Sequence, residues 1–599
     1  MQCLVSTGRC VLLSFLILHY GVWHGGALQA EGVVRKEALC RALPGEAVVA
    51  ADHPLASEAG AEVLKLGGNA VDAAVATSFA LSVLRPEGCG LGGGGFMMIW
   101  DAKSQQGYAL DYRERAPRAA HAKMFATTSK PAGPLPASEA GGLAVAVPGN
   151  VAGLCYAVER FGSLPLDVVL GPAIRLTQQE IPVDPQFLSA QRSMIAQFQQ
   201  HPELQTRFAK LWKTYLNSGE PFAPGDHYHS PLEEVLTRIA KEGADGFYRG
   251  EVAAAIVSEI ERQQGIITAE DLSTANPVVV RSPLRGTFHG YKFLTMPPPS
   301  SGGIAEIEVL NVLEAWESQQ SEPQGLRRLK HNSADYVHLV TESLKHAFAD
   351  RAEFLGDADV VDVPIARLTS KKYAAGLAKQ VNMQSTKPLN AYGRGLPSRD
   401  AGTSHLCVID SHGNGVACTE TINTHFGSLI VEPLFGIVLN NEMDDFAARP
   451  GEPNAFGLVQ SARNAVAPGK KPLSSMSPTI VLRDGKATFV VGGSGGPRII
   501  SGTLQVLLNM MVFEMTPEQA VSAPRFHHQW LPDQLLLEQE LHDQLANPLK
   551  GRGHQVELGI GQSATQAAAL VTLHPTAASD PRKGGRPAKV SSPTPPAKE

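Results

Sequence analysis

Apolar side chains recur at helical intervals over 54–67, stop at Gly67-Gly68, and recur again from Asn69 through the alanine-rich stretch 71–84. The spacing predicts two consecutive helices. The same periodicity returns over 151–161, 232–242 and 334–354. Short runs of β-branched and aromatic residues at 96–100, 278–280, 479–482 and 489–491 read as strands. Helices therefore alternate with strands, the mark of an α/β or α+β chain, and no internal repeat is visible. The stretch 583–599 is rich in proline and basic residues, a composition that cannot pack a core, so a disordered tail is expected there.

A hairpin signal lies two-thirds of the way along, where apolar runs flank Ser411-His412-Gly413-Asn414-Gly415. Its first strand begins at Gly402-Thr403-Ser404-His405. Directly paired residues share a face and successive residues alternate faces. If Thr403 lies opposite Thr421, then Thr419, Thr421 and Asn423 share its face, and Cys407 and Cys418 fall on opposite faces. A register shifted by one residue would instead set the two cysteines opposite each other, where a disulfide could form. The two registers compete.

The chemistry at stake is that of an autoprocessed nucleophile. A threonine hydroxyl is a weak nucleophile unless a base removes its proton, and a chain-terminal amine titrates at about 7.7–8.0. Cleavage before Thr403 would give one residue both groups. Taken alone, Thr403 is equally an ordinary strand threonine. The segments that follow add weight: 441–445 (NEMDD), 472–478 (PLSSMSP) and 491–498 (VGGSGGPR).

With these segments the chain resembles the γ-glutamyltransferases, also called glutathione hydrolases. Further matching stretches are 67–74, 90–96, 111–114, 147–149, 297–303 and 523–530, so the likeness runs from Ala47 to Arg582. The resemblance implies the four-layer αββα sandwich of N-terminal-nucleophile hydrolases, with two subunits intertwined in one core. It implies cleavage between Gly402 and Thr403, a large subunit over 28–402, a small catalytic subunit over 403–582, and a heterodimer made from one precursor. Thr403 is then the nucleophile, with Thr421 hydrogen-bonded to its head group. Asn423, Glu442 and Asp445 receive the substrate α-ammonium, while Arg113 with Ser474 and Ser475 holds the α-carboxylate. Backbone N–H groups at Gly495 and Gly496 form the oxyanion hole. The implied reaction passes a γ-glutamyl group from glutathione and related compounds through a threonine ester to water, amino acids or peptides, without cofactor or metal. The stretch 447–458, containing Phe456, resembles a lid loop of bacterial members, with phenylalanine where tyrosine is common.

Each piece has a plainer alternative. The acidic pair 444–445 could be a solvated turn, Ser474-Ser475 a loop, 492–496 a tight connection, and Arg113 a surface ion-pair partner. The glycine loop 90–95 lacks the GxxxxGK[ST] ending of a phosphate cradle. His527-His528 has no further ligand at metal spacing. Two other functions stay open: a cephalosporin (glutaryl) acylase-like amidase and an unprocessed, inactive homologue. The head-group set of Arg113, Glu442, Asp445, Ser474 and Ser475 favours a free amino-acid end over a plain dicarboxylate. Thr403, Thr421 and the paired glycines speak against the inactive form.

Composition narrows the picture further. A net charge of −6 gives no reason to expect a nucleic-acid partner, and 43% hydrophobic residues are ample for a core. Arg9, the apolar run 10–23 and Gly25-Gly26-Ala27 have the pattern of a signal peptide over 1–27, so periplasmic or secreted export is expected ahead of a membrane anchor. Cys3 and Cys10 would leave with it; Cys40, Cys89, Cys155, Cys407 and Cys418 form no framework spacing.

Overall fold

The computed structural model describes residues 46–591, apart from 126–133, 275–277, 321–324, 394–401, 448–460, 560–562 and 572–573. The expected signal segment, Cys40 and nearly all of the expected lid loop, Phe456 included, lie outside the described residues. Two large sheets dominate. The seven-stranded sheet runs in the order Ala588–Val590, Ala47–Ala51, Ser404–Ile409, Gly415–Thr421, Gly94–Asp101, Gln106–Tyr112, Val279–Arg281. The six-stranded sheet runs Thr576–Ser579, Ala564–Ala569, Lys486–Ser494, Thr479–Arg483, Tyr291–Thr295, Leu284–Phe288. Neighbouring strands pair antiparallel throughout both.

Alternation along the strands builds the layers. In Ser404–Ile409, Cys407 and Ile409 join a core shared with Ile480, Val490 and Ala568 of the other sheet, whereas Leu406 and Val408 face a second core with the helices Pro54–Lys65 and Ala70–Leu84. The outer face of the six-stranded sheet, through Val481, Phe489 and Val491, packs on the helices Gly302–Glu317, Ala334–Phe354 and Arg498–Met511. Helix, sheet, sheet, helix is the expected αββα order. The first helix pair ends and restarts as read from the sequence: Asn69 caps the second helix in a capping box with Asp72.

Of the two competing hairpin registers, the structure shows the one that sets Thr403 opposite Thr421. His405 pairs with Thr419, Cys407 with Ala417 and Leu406 with Cys418, which sets Thr403 opposite Thr421. Cys407 and Cys418 are buried, free and in different cores, and the free thiols of Cys89 and Cys155 are buried in the helix-packed core that also holds Cys418. The shifted, disulfide-forming register is excluded.

The expected tail begins too early. Ala588–Val590 is an edge strand paired with Ala47–Val49, and Lys589 forms an ion pair with Glu46 at 2.8 Å. Composition misleads here because an edge strand is held by main-chain hydrogen bonds, which any residue but proline supplies. Lys583 reaches further in: its Nζ donates to buried Asp52 at 2.8 Å, to Ser494 Oγ at 3.1 Å and to the Thr403 carbonyl. Replacing Lys583 by methionine strands Asp52 without its cation, a loss expected to cost about 3 kcal/mol. A shift in the urea midpoint tests this, and a midpoint equal to wild type counts against it.

Candidate active site

Thr403 occupies the start of its strand on the face between the two sheets, 5% exposed. Its hydroxyl donates to the Gly402 carbonyl oxygen and lies 3.3 Å from Thr421 Oγ. Thr421 Oγ donates to the same Gly402 oxygen at 3.1 Å and accepts the Asn423 N–H at 2.8 Å. The bond between residues 402 and 403 is thus gripped by two hydroxyls. Gly402 has φ +67°, and a Cβ there would stand 2.5 Å from the Asn423 carbonyl, so only glycine fits without strain. The glycine loop 90–95 serves the same corner by close approach: a Cβ on Gly93 would lie 2.1 Å from the Thr421 carbonyl. Its role is packing, and a phosphate cradle is not needed to explain it.

The acidic pair comes from one turn of 3-10 helix, Glu442–Asp445, in which residues three apart project to the same side. Asn440 pins this turn by donating to the Gly92 and Ala146 carbonyls, and Asn441 by donating to Glu139 and Thr424. Asn423, itself at φ 79°, donates to the Asn441 carbonyl at 3.0 Å. Arg113 follows the strand Gln106–Tyr112 and its fork is fully engaged: Nη1 with Glu442, Nη2 with Asp445 at 2.5 Å, and Nε with the Pro472 carbonyl at 3.3 Å. It is a buried guanidinium rather than a surface partner.

Electrostatics at this corner are set by burial. Burial pushes the Glu442 carboxyl up, only partly opposed by Arg113. Glu114, whose carboxylate lies 3.6 Å from Arg113 Nη1, is pushed up to about 7 by burial, with Arg113 opposing. Burial works against the Arg113 charge as well, but Glu442 and Asp445 outweigh it and hold its pKa above the ordinary arginine value.

Ser474 and Ser475 are braced from behind. Ser474 N–H donates to the Pro299 carbonyl at 2.8 Å, and the Ser474 carbonyl accepts from Ser301 N–H and Oγ at 2.8 and 2.6 Å. Arg351, from the helix Ala334–Phe354, donates from Nη2 to Ser475 Oγ at 3.3 Å. One small cavity is lined by Thr403, Thr421, Asn423, Arg113, Glu442, Asp445, Ser474, Ser475, Arg351 and Gly496. A second, of about 300 Å³, opens on the other side of Thr403 and is lined by Gly402, Gly495, Arg498, Ser563 and Lys583. Every candidate site residue read from the sequence therefore gathers around Thr403. Sequence reasoning missed Arg351 and Lys583, and gave Glu114 no role.

His527 is bonded to Ser501 at 2.7 Å and to Gln529 at 2.9 Å, while His528 meets Asp533 at 3.3 Å. Among the described residues, His338, Glu342 and His554 are the group whose donor atoms cluster within 4.8 Å. They already partner one another: His338 Nδ1 and His554 Nε2 are 2.7 Å apart, and Lys345 Nζ lies 3.4 Å from Glu342, where a cation would be repelled.

The family profile described as Gamma-glutamyltranspeptidase matches residues 56–590. The chain belongs to that family. It is 40% identical over 530 residues to the glutathione hydrolase proenzyme of Escherichia coli (strain K12), a span covering 87% of this chain and 88% of that protein. A solved cephalosporin acylase from Bacillus halodurans superposes with a TM-score of 0.79 at 25% identity, covering 94% of this chain and 99% of that one. Gamma-glutamyltranspeptidase from Helicobacter pylori does so with a TM-score of 0.51 at 36% identity, over 57% of this chain and 93% of the other. This gamma-glutamyltranspeptidase-family chain is accordingly an enzyme with the N-terminal-nucleophile hydrolase fold. Among the described residues, no helix is long and apolar enough to cross a membrane.

Proposed function

We propose that the chain is a precursor that cuts itself between Gly402 and Thr403, and that the mature enzyme transfers the γ-glutamyl group of glutathione and similar donors to water, amino acids or peptides. The observation that carries this reading is the Thr403 hydroxyl held against the Gly402 carbonyl, at the edge of a cavity lined by two guanidiniums, Arg113 and Arg351, and two carboxylates, Glu442 and Asp445. In maturation, Thr403 Oγ attacks the Gly402 carbonyl carbon. Thr421 Oγ, already donating to that carbonyl oxygen, stabilises the charge that develops there. The peptide C–N bond breaks, leaving an ester and a free Thr403 amine, and water opens the ester.

In turnover the freed amine takes the hydroxyl proton as Thr403 attacks the donor's γ-carbonyl. The donor's amine leaves with that proton, and water or an acceptor amine then opens the γ-glutamyl ester. Asn423, Glu442 and Asp445 receive the α-ammonium, and Arg113 with Ser474 and Ser475 the α-carboxylate, so the incoming zwitterion exchanges partners with an ion cluster that is already internally paired. Gly496 borders the donor cavity and Gly495 the second one, a placement that supports their N–H groups as the donors to the developing oxyanion. The second cavity is where the leaving amine departs and the acceptor enters. Large and small pieces remain together as a heterodimer, and the N-terminal pattern directs export.

Intact-mass analysis of the purified protein is expected to show two pieces, the smaller beginning at Thr403. The mature protein is expected to hydrolyse γ-glutamyl p-nitroanilide far faster than glutaryl p-nitroanilide, which lacks the ammonium. A preference for the glutaryl donor would instead favour the acylase reading.

A further inference from the structure

Arg351 carries a buried charge that no carboxylate among the described residues pairs with directly. It lies near the end of the helix Ala334–Phe354, 2% exposed, on the wall of the cavity that holds Thr403 and Arg113. Its Nε donates to Ser301 Oγ at 2.9 Å and its Nη2 to Ser475 Oγ at 3.3 Å. Its Nη1 has no hydrogen-bond partner, and among the described residues no carboxylate is paired with it. Burial lowers its pKa to about 10, with Asp445 opposing, so it is still a cation at neutral pH. A buried guanidinium with an idle donor is costly unless something occupies that donor. Arg113 is in the opposite condition, because all three of its nitrogens are engaged by Glu442, Asp445 and the Pro472 carbonyl.

We propose that Arg351 is a second guanidinium of the donor's carboxylate subsite, with Nη1 donating to the α-carboxylate while Nη2 holds Ser475. Because Ser475 Oγ accepts from Arg351, its own hydroxyl hydrogen is left to donate to the same carboxylate. The buried charge then gains its counter-ion only when a donor carrying a carboxylate binds, which makes Arg351 a determinant of specificity. The proposal rests on the γ-glutamyl reading above.

Three p-nitroanilides separate the possibilities: γ-glutamyl, glutaryl (no ammonium) and 4-aminobutanoyl (no carboxylate). In Arg351→Gln, kcat/KM is expected to fall on the order of 100-fold for the γ-glutamyl and glutaryl donors, mainly through KM. The 4-aminobutanoyl donor is expected to change by less than about twofold, since it never met the missing charge. Arg351→Lys, which keeps a cation but not the fork, is expected to recover part of the loss. Equal losses on all three donors would mean a merely structural role and overturn the proposal. Where the variants fail to mature, or 4-aminobutanoyl turnover is too slow to measure, a wild-type crystal structure with L-glutamate decides. A carboxylate oxygen within about 3.2 Å of Arg351 Nη1 supports the assignment, and one beyond about 4 Å sinks it. Failure of the γ-glutamyl reading shows separately, as a wild-type preference for the glutaryl donor.

Discussion

Thr403→Ala is expected to yield a chain that stays joined between residues 402 and 403 and has lost γ-glutamyl transfer by a factor on the order of 10⁴ or more. One hydroxyl is asked to attack twice, first the Gly402 carbonyl it already touches and then the donor. Truncation to alanine removes the hydroxyl, and with it both attacks, while leaving the hairpin intact, because the strand is held by its ladder with Gly415–Thr421 and by Leu406 and Val408 in the outer core. The variant should therefore be folded, uncut and inactive together. Thr403→Ser keeps the hydroxyl and is expected to cut. Denaturing electrophoresis and intact mass read both results, and efficient scission in the alanine variant would falsify the nucleophile assignment.

Arg113→Ala is expected to raise KM for γ-glutamyl p-nitroanilide on the order of 100-fold, the effect of losing charge-assisted bonds worth about 3 kcal/mol. It should also destabilise the protein by about 3–5 kcal/mol, because Glu442, Asp445 and Glu114 are left buried around an absent cation. The sign of the pH dependence follows from Glu442. Burial already holds its folded pKa above the usual 4.5, so the folded state keeps a proton that the unfolded chain releases, and stability falls as pH rises through that window. Without Arg113 the folded pKa moves higher still. The deficit of the variant relative to wild type should therefore widen, in urea titrations, as pH rises through the range in which Glu442 ionises in the folded wild type and stays protonated in the variant. An unchanged KM would remove Arg113 from the carboxylate role, and a deficit independent of pH would remove Glu442 from the coupling.

Much of this site could be read before any coordinates, and the reason is local. Hairpin pairing is constrained by its turn and by side-chain parity, so the Ser411–Gly415 turn and the alternation around it narrow the choice to two registers, and the pairing of His405 with Thr419 selects the one that sets Thr403 opposite Thr421. Glu442 and Asp445 were legible as one motif because a single helical turn brings them together. Arg351 was not, since its partners Ser301 and Ser475 are distant in the chain. A signal was nonetheless present: Leu344, Ala347 and Phe348 are buried at helical spacing from position 351, which puts an arginine on the apolar stripe of its helix. Lys583 was misplaced for a different reason. Composition marks its stretch as polar, while its place depends on buried Asp52, the Thr403 carbonyl and Ser494, none of which composition reveals.

The strand order of the larger sheet bears on what scission would do to the protein's future. Segments from after residue 402 occupy the first, third and fourth positions, and segments from before it the second and the last three. Neither piece could slide away without unzipping its neighbours, so the nicked enzyme should survive dilution unchanged. Refolding is another matter. Before the nick it is a one-molecule event; afterwards two chains must find each other, and recovery from denaturant becomes second order. Self-scission would thereby convert a reversible fold into one that can be lost but is not readily regained.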